Sequence, residues 1–570
     1  MSLNKEKQRI IEHDGNILVT ANPGTGKTKL LAHKYIDLVK KGIVPEQILC
    51  LTFTEKAKRQ METKILEVIK EENVKIDISK MNVYTFHSYA LDNIEDKEIL
   101  DSNLLRYEIF EYIKKNEVLN YGDDYLIDTI VPKMANLIRY LKSFGIMPKD
   151  INLREVKLLL EEDEKNYKEE MDKFSEYFVD IFKHYEAIKD KHGVDYSDLL
   201  IRFLQLKEIP KFEYVLVDEL QDVNVMEADI AIKSAKNVIA VGDKKQAIFG
   251  FQGGSILNFE KFSNSKQFVL SENFRSTNEI LTYSREYFVS KTKEASHKEE
   301  LKSLRSAEGL TVGKPVIYDV EKKKLYSTAC EIVKGFKGKT AIITRTNTQI
   351  MDICRELDNH GLEYSSTFFS ASKEAKSHII NFLKGILSTD VQEVKNSMFT
   401  PYFPCKLQDA FSVADKKHET MDELLNSLPA FKQLRESIKT VEDVNILFKE
   451  VIIPISIAYG KEYLSATITM QKAYREALNV LPDKTTQSFM SYLQTTDLLS
   501  QESDIEKDIV VTTVHKSKGK EFENVIYIPS KTNDKSNFQD KTVEAILKTK
   551  GITAKEELEE ETIRVNFVAF

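Results

Sequence analysis

Short, unbroken apolar runs recur along the first half of the chain, and each ends in a cluster of polar residues. They are Ile17-Leu18-Val19, Ile48-Leu49-Cys50-Leu51, Tyr214-Val215-Leu216-Val217, Val238-Ile239-Ala240-Val241 and Phe268-Val269-Leu270, and Val83-Tyr84-Thr85-Phe86-His87-Ser88 reads as a further strand. Runs this short without alternation predict strands buried on both faces, as in a parallel sheet. The first intervening helix is predicted to begin near Lys29. From about Asp92 to Lys191 the pattern is helical and charged, with Gly145 and Pro148 closing one helix. This stretch interrupts the strand and helix alternation, which resumes at Tyr214. The pattern predicts an α/β chain with an open parallel sheet and an inserted helical subdomain.

The strand ends carry the chemistry. Ile17-Leu18-Val19 runs into Ala21-Asn22-Pro23-Gly24-Thr25-Gly26-Lys27-Thr28, a glycine loop that opens a helix. Its backbone N–H groups and the helix N-terminus suit phosphate oxygens, Lys27 reaches the β- and γ-phosphates, and the Thr28 hydroxyl suits Mg²⁺. Ala21 stands where the general pattern has its first glycine. Asp218 and Glu219, at the end of the Tyr214 strand, face the ligand crevice of such a sheet. Asp218 is placed to hold Mg²⁺ and Glu219 to polarise an attacking water. Two other strands lead into Gly242-Asp243-Lys244-Lys245-Gln246 and Glu272-Asn273-Phe274-Arg275-Ser276-Thr277. Phe53 and Thr54, and likewise Phe86 and His87, suit single-stranded DNA, where hydroxyls hold phosphates and rings stack on bases. Taken separately, each of these strand ends is read first as core packing, with single-strand binding as the second reading.

Composition narrows the class. The chain has 570 residues, a net charge of −8, 42% hydrophobic and 30% charged residues. That length predicts two to four domains. No run of about eighteen apolar residues is present to span a bilayer, and no apolar signal segment starts the chain, so a cytoplasmic protein without membrane contact is expected. Cys50, Cys330, Cys354 and Cys405 are widely spaced, with no C-x-x-C pair. The acidic balance counts only weakly against DNA, because a motor needs positive charge only in its cleft.

The loop at Ala21 to Thr28, DELQD at Asp218 to Asp222, GDKKQAIFGF at Gly242 to Phe251, ENFRST at Glu272 to Thr277 and TVHKSKGKEF at Thr513 to Phe522 occur in that order. Together they resemble the motifs of the UvrD/Rep/PcrA family of superfamily 1A DNA helicases. The resemblance covers essentially the whole chain. It implies two RecA-like P-loop NTPase lobes, each with a mainly helical insert. Lobe 1A would comprise residues 1–92 and 194–278 and insert 1B residues 93–193. Lobe 2A would comprise residues 279–390 and 503–570, including the strand and turn from Ala341 to Asn347, and insert 2B residues 391–502.

The resemblance also implies roles. The ligands would be ATP, with Asn22, Pro23, Gly24, Thr25 and Gly26 in its loop, and Mg²⁺ on Thr28 and Asp218. Gln8 resembles the adenine-reading glutamine, one residue further from Leu3 than the pattern, so that Lys7 and Gln8 both stay open. Gln246 resembles the γ-phosphate sensor, Arg275 an arginine on the same phosphate, Phe274 the aromatic beside adenine, and Glu521 a ribose or lobe-coupling residue. Phe53, Thr54, Phe86, His87, Phe249, Phe251 and His515 match the single-strand groove. Phe251 stands where relatives often have Trp, and Gly250 and Gln252 replace common arginines. The output would be translocation, 3′ to 5′, on single-stranded or tailed duplex DNA in repair or recombination; protein partners remain unknown.

The final stretch, Glu560 to Phe570, resembles the start of the last motif, whose continuation in the family is Thr-Arg-Ala. Such an arginine supplies about 10³ to 10⁵ in rate. The expectation is that this 570-residue form binds ATP and DNA but hydrolyses ATP poorly. Two alternatives stand beside the helicase: the motor of a helicase-nuclease similar to AddA or RecB, and an ATP-gated DNA-binding module that does not unwind.

Overall fold

Leu216 and its neighbours Val215 and Val217 show how the first sheet is built. Leu216 packs with Ile17, Val19, Ile239 and Val241 on one face, and Val215 and Val217 pack with Leu18, Val238 and Ala240 on the other. Successive side chains point to opposite faces, so a strand must be apolar throughout to bury both. The six strands are β1 (Ile17–Ala21), β2 (Ile48–Thr52), β3 (Asn82–Thr85), β4 (Phe212–Val217), β5 (Ala235–Gly242) and β6 (Lys266–Leu270). All are parallel, in the order β3-β2-β4-β5-β1-β6, so every carboxyl end lies on one edge. Helices α1 (Lys5–Glu12), α2 (Lys27–Lys40) and α3 (Glu55–Glu72) cover the first face. Helix α4 (Phe86–Asp92) and the helices Tyr196–Leu204 and Val225–Lys233 cover the second.

The structure is a computed structural model. It describes residues 4–570 apart from 95–97, 101, 164–167, 251–252, 255, 293–299, 302–303, 307–314, 368–369, 415, 417–419, 482, 499–506, 531–537 and 553–554. One expectation needs correction: β3 stops at Thr85, and Phe86, His87 and Ser88 begin α4. The Thr85 hydroxyl accepts the Ser88 N–H at 3.2 Å, and the Ser88 hydroxyl accepts the Thr85 N–H at 3.0 Å. This reciprocal cap satisfies two donors at the start of the helix and turns the chain.

A short parallel pair, β7 (Glu272–Asn273) and β8 (Arg305–Ser306), follows the first sheet. The second sheet comprises β9 (Thr340–Thr344), β10 (Ser365–Ser366), β11 (Ile509–Thr513) and β12 (Asn524–Ile528), again all parallel, in the order β10-β11-β9-β12. Two parallel sheets clothed in helices make the two-lobe α/β fold.

Helices within residues 102–192 leave the first sheet between β3 and β4, and helices from 370 to 495 leave the second between β10 and β11. The two groups share one apolar core. Tyr107 and Tyr492 meet at 5.4 Å between ring centroids, and Arg106 pairs with Asp497 at 2.7 Å. Helix Phe538–Thr549 joins this core through Val543, Ile546 and Leu547, with Lys133 on Asp540 at 2.8 Å, although it follows β12 in the chain. Helix Lys555–Ala569 lies along the seam between the sheets. Its Val565 and Ala569 pack with Ile248 from one side and Ala341, Ile343 and Val514 from the other. Among the described residues no helix is long and apolar enough to cross a membrane, and the four cysteines are unpaired.

Candidate active site

The loop from Asn22 to Thr28 connects β1 to α2, with Gly24 at φ 67° and Gly26 at φ 79°. Both lie in the left-handed region, where glycine carries no Cβ penalty. Asn22 and Thr25 are buried and hold the loop shape, Asn22 donating to the Leu270 carbonyl at 3.0 Å and Thr25 to the Asn22 carbonyl at 2.8 Å. Asn273 fastens the loop to the turn after β7 by donating to the Pro23 carbonyl at 2.5 Å, while Phe274 N–H donates to the Gly24 carbonyl at 2.8 Å.

Across from the loop stand the acids after β4. Thr28 donates to Asp218 at 2.8 Å, and the Lys27 ammonium lies on Glu219 at 2.5 Å. Glu219 is a non-glycine residue in left-handed conformation, φ 52°. Such a backbone is uncommon and costs free energy, and here it turns the carboxylate toward Lys27. Burial, with the Glu219 charge beside it, pushes the Asp218 carboxyl up to about 6. Burial acts on Glu219 in the same sense, but the Lys27 and Lys518 ammonium groups outweigh it and hold this carboxyl at about 2. For Lys27 too, burial is outweighed by Glu219 and Asp218, and its pKa is raised. The hydroxyl of Thr28 against the Asp218 carboxylate is a hard oxygen pair suited to Mg²⁺. Lys27 is held by an anion, as it would be by a phosphate.

Gln221 links this edge to the next strand, donating to Glu219 at 2.5 Å and accepting the Asp243 N–H at 2.8 Å. Gln246 in turn donates to Asp243 at 2.8 Å. The second sheet reaches the same place from the opposite side. Lys518, shortly after β11, pairs with both Asp222 oxygens at 2.6 and 2.7 Å and donates to the Gln246 carbonyl at 2.8 Å. Arg275 donates to Glu521 at 2.8 Å. Contacts therefore link Lys27, Thr28, Asp218, Glu219 and Gln246 to Lys518, and Arg275 to Glu521, across the two sheets.

At the edge of the loop Phe274 is 43% exposed, and the α1 residue over its ring is Lys7, with the ammonium 4.5 Å from the centroid. Gln8 is exposed. The phase of α1 explains this: Ile10 and Ile11 are buried, and Lys7 lies three and four residues before them on the same face.

Of the groove candidates, Phe53, Phe249 and His515 form one aromatic series, with centroid spacings of 6.1 and 5.9 Å. Lys518 lies 5.0 Å over the Phe249 ring. Phe249 and His515, with Arg345, Thr346, Asn347, Thr513 and Lys516, line a cleft of about 440 Å³. Burial, then Arg345, drives His515 down to about 4, so the ring is neutral at pH 7. Thr54 is exposed and caps α3 by accepting the Ala57 N–H at 3.1 Å. His87 is half-buried against Tyr196 at 5.7 Å, with Nδ1 3.6 Å from Glu227, and burial lowers it to about 4. Phe86 needs correction: its ring is 0% exposed, in the core with Leu49 and Tyr89, and no face is open to a base. Phe251 lies outside the described residues.

Sequence reasoning quoted Gln221, Asp222 and Lys518 within motifs but assigned them no role. The polar positions inside two motifs were their only signal, and their pairing crosses 296 residues of chain.

The model of the UvrD/REP helicase N-terminal domain matches residues 3–267, and that of the UvrD-like helicase C-terminal domain matches residues 268–398. The chain is 31% identical over 305 residues to a protein of Rickettsia conorii named probable DNA helicase II homolog, covering 49% of this chain and 44% of that one. It is 30% identical over 307 residues to the ATP-dependent DNA helicase PcrA of Leuconostoc citreum, covering 49% and 38%. To the probable DNA helicase II homolog of Mycoplasma genitalium it is 26% identical over 582 residues, covering 91% and 78%. The matches span less than half the length of the first two relatives.

Proposed function

The chain belongs to the UvrD-like helicase family, and from that premise we propose that it is an ATP-dependent motor on DNA, moving 3′ to 5′ along a single strand. The observation that carries this reading is the convergence of Lys27, Thr28, Asp218, Glu219, Gln246 and Arg275 on one cleft, with Lys518 and Glu521 reaching it from the second lobe. Phosphoryl transfer is mostly positioning and charge neutralisation, and these residues are of the required kinds.

In this mechanism the loop amides and Lys27 take the phosphates, and Lys27 must leave Glu219 to do so. Thr28 and Asp218 would hold Mg²⁺, which neutralises phosphate charge when bound. Glu219, freed from Lys27, orients and polarises the attacking water. Gln246 and Arg275 report the state of the γ-phosphate to the second lobe through Lys518 and Glu521. Phe53, Phe249 and His515 supply stacking faces for bases, and closure and reopening of the lobes alternate their grip. Residues 1–92 with 194–278, and 279–390 with 503–570, act as the two lobes. Single-stranded and tailed duplex DNA are the substrates, in cytoplasmic repair or recombination.

The test measures ATP binding and the hydrolysis rate with and without single-stranded DNA. Lys27→Ala is expected to lose nucleotide binding. Glu219→Gln is expected to keep binding while hydrolysis falls about 10²- to 10⁴-fold relative to the parent chain. ATP binding that survives Lys27→Ala, together with a rate indifferent to Glu219→Gln, would refute the reading.

A further inference from the structure

Lys245, the residue before Gln246, is a charged side chain that is fully buried. Its ammonium lies between two carboxylates, 2.7 Å from Asp243 and 2.6 Å from Glu300. Asp243 is equally buried, and its two oxygens are divided between neighbours. One takes the Lys245 ammonium and backbone N–H, and the other accepts the Gln246 amide at 2.8 Å. Burial, which raises a carboxyl, is outweighed at Asp243 by the Lys245 ammonium, and the Asp243 pKa is lowered. At Lys245 burial is outweighed by Asp243 and then Glu300, and the pKa is raised. Asp243 and Lys245 thus face each other as charges.

Glu300 lies 55 residues further along the chain. Its successors Leu301 and Leu304 pack with Leu281, Phe288 and Phe567. Arg305 donates to Glu272 of β7 at 2.9 Å, and Asn273 of the same strand holds the Pro23 carbonyl. These residues reach the Gln246 loop on one side and the turn that carries Arg275 on the other. A buried ammonium draws on whatever carboxylate it can reach. With Glu300 present Lys245 is shared between two acids, and one Asp243 oxygen stays available to the Gln246 amide. Without Glu300 the ammonium falls on Asp243 alone, in competition with that amide.

We propose that the Lys245–Glu300 ion pair is a positioning device for Gln246: it holds Asp243 so that the Gln246 amide is aimed, and the rate of ATP hydrolysis, not ATP binding, depends on Glu300. The proposal rests on the role given to Gln246 at the triphosphate site above.

Single-turnover hydrolysis of ATP by the full chain, with ATP affinity measured in parallel by calorimetry, tests it. Glu300→Ala is expected to lower the rate about 10- to 100-fold and to leave ATP affinity within about twofold of the parent. Glu300→Gln, which keeps an oxygen acceptor for Lys245, is expected to fall between the two. A role through Gln246 predicts that adding Glu300→Ala to Gln246→Ala lowers the rate no further. Thermal melting reports whether each variant is folded, and Glu300→Gln carries the comparison if Glu300→Ala is not. An unchanged rate in the folded Glu300 variants, losses that multiply in the double variant, or affinity that falls as far as the rate overturns the proposal and leaves the triphosphate site standing. A parent chain that binds ATP without hydrolysing it overturns the motor reading and the proposal with it.

Discussion

Glu227 is a fully buried acid whose carboxylate accepts the Asn224 N–H at 2.8 Å, with a neutral His87 beside it. Burial raises its carboxyl to about 7. The native chain thus holds a proton that the unfolded chain releases above about 4.5. This contribution to stability is fully present below pH 4.5 and is lost as pH rises through 7. The shift corresponds to about 3 kcal/mol. Glu227→Gln keeps an oxygen acceptor and removes the titration. Its melting temperature is expected to exceed that of the parent above pH 7, with the gap closing toward pH 4.5, as calorimetry across that range would report. Adjacent residues also mark the limit of sequence reading: Lys7 and Gln8 differ by about 100° around a helix, and only the packing of Ile10 and Ile11 decides which of them faces the loop.

At the scale of elements, the loop after β1 and the turn after β7 form one unit. A Cβ on Gly24 would stand 2.6 Å from Asn273 Nδ2 and 2.7 Å from the Arg275 Cβ, and its backbone is left-handed. Gly24→Ala is expected to cost about 1–2 kcal/mol in backbone conformation alone. It should also displace Arg275, lowering nucleotide affinity more than Gly15→Ala, whose Cβ meets nothing within 4 Å. Titration of both variants with ATP checks this. The strand ends at Asp218, Gln246 and Glu272 were legible from apolar runs meeting polar residues. The start of α4 at Phe86 was not, because an aromatic after β-formers suits a strand equally well until Thr85 and Ser88 cap each other.

Across the whole molecule, the helices from 102 to 192 and from 370 to 495 share a single core, so loss of packing in one group is expected to loosen the other. Tyr492 is fully buried at that junction, against Tyr107. Tyr492→Ala is expected to cost about 3–5 kcal/mol, as other large aromatic truncations do. Hydrogen exchange should then accelerate in helix Ser102–Lys115 as well as in helix Thr486–Thr495. Acceleration confined to the second helix would show that the two groups open independently.

The apolar runs and the residues at their ends determined the first parallel sheet, the glycine loop and the paired acids, and the ordered motifs carried the family resemblance, because each of these is local in sequence. Only the tertiary structure decided that Lys518 meets Asp222 and Gln246, that Arg275 meets Glu521, that Phe86 is core, and that helix Phe538–Thr549 joins the helical inserts. These are contacts between segments up to hundreds of residues apart. A hydrophobic pattern says that a face must be buried, and only the packed chain says against what.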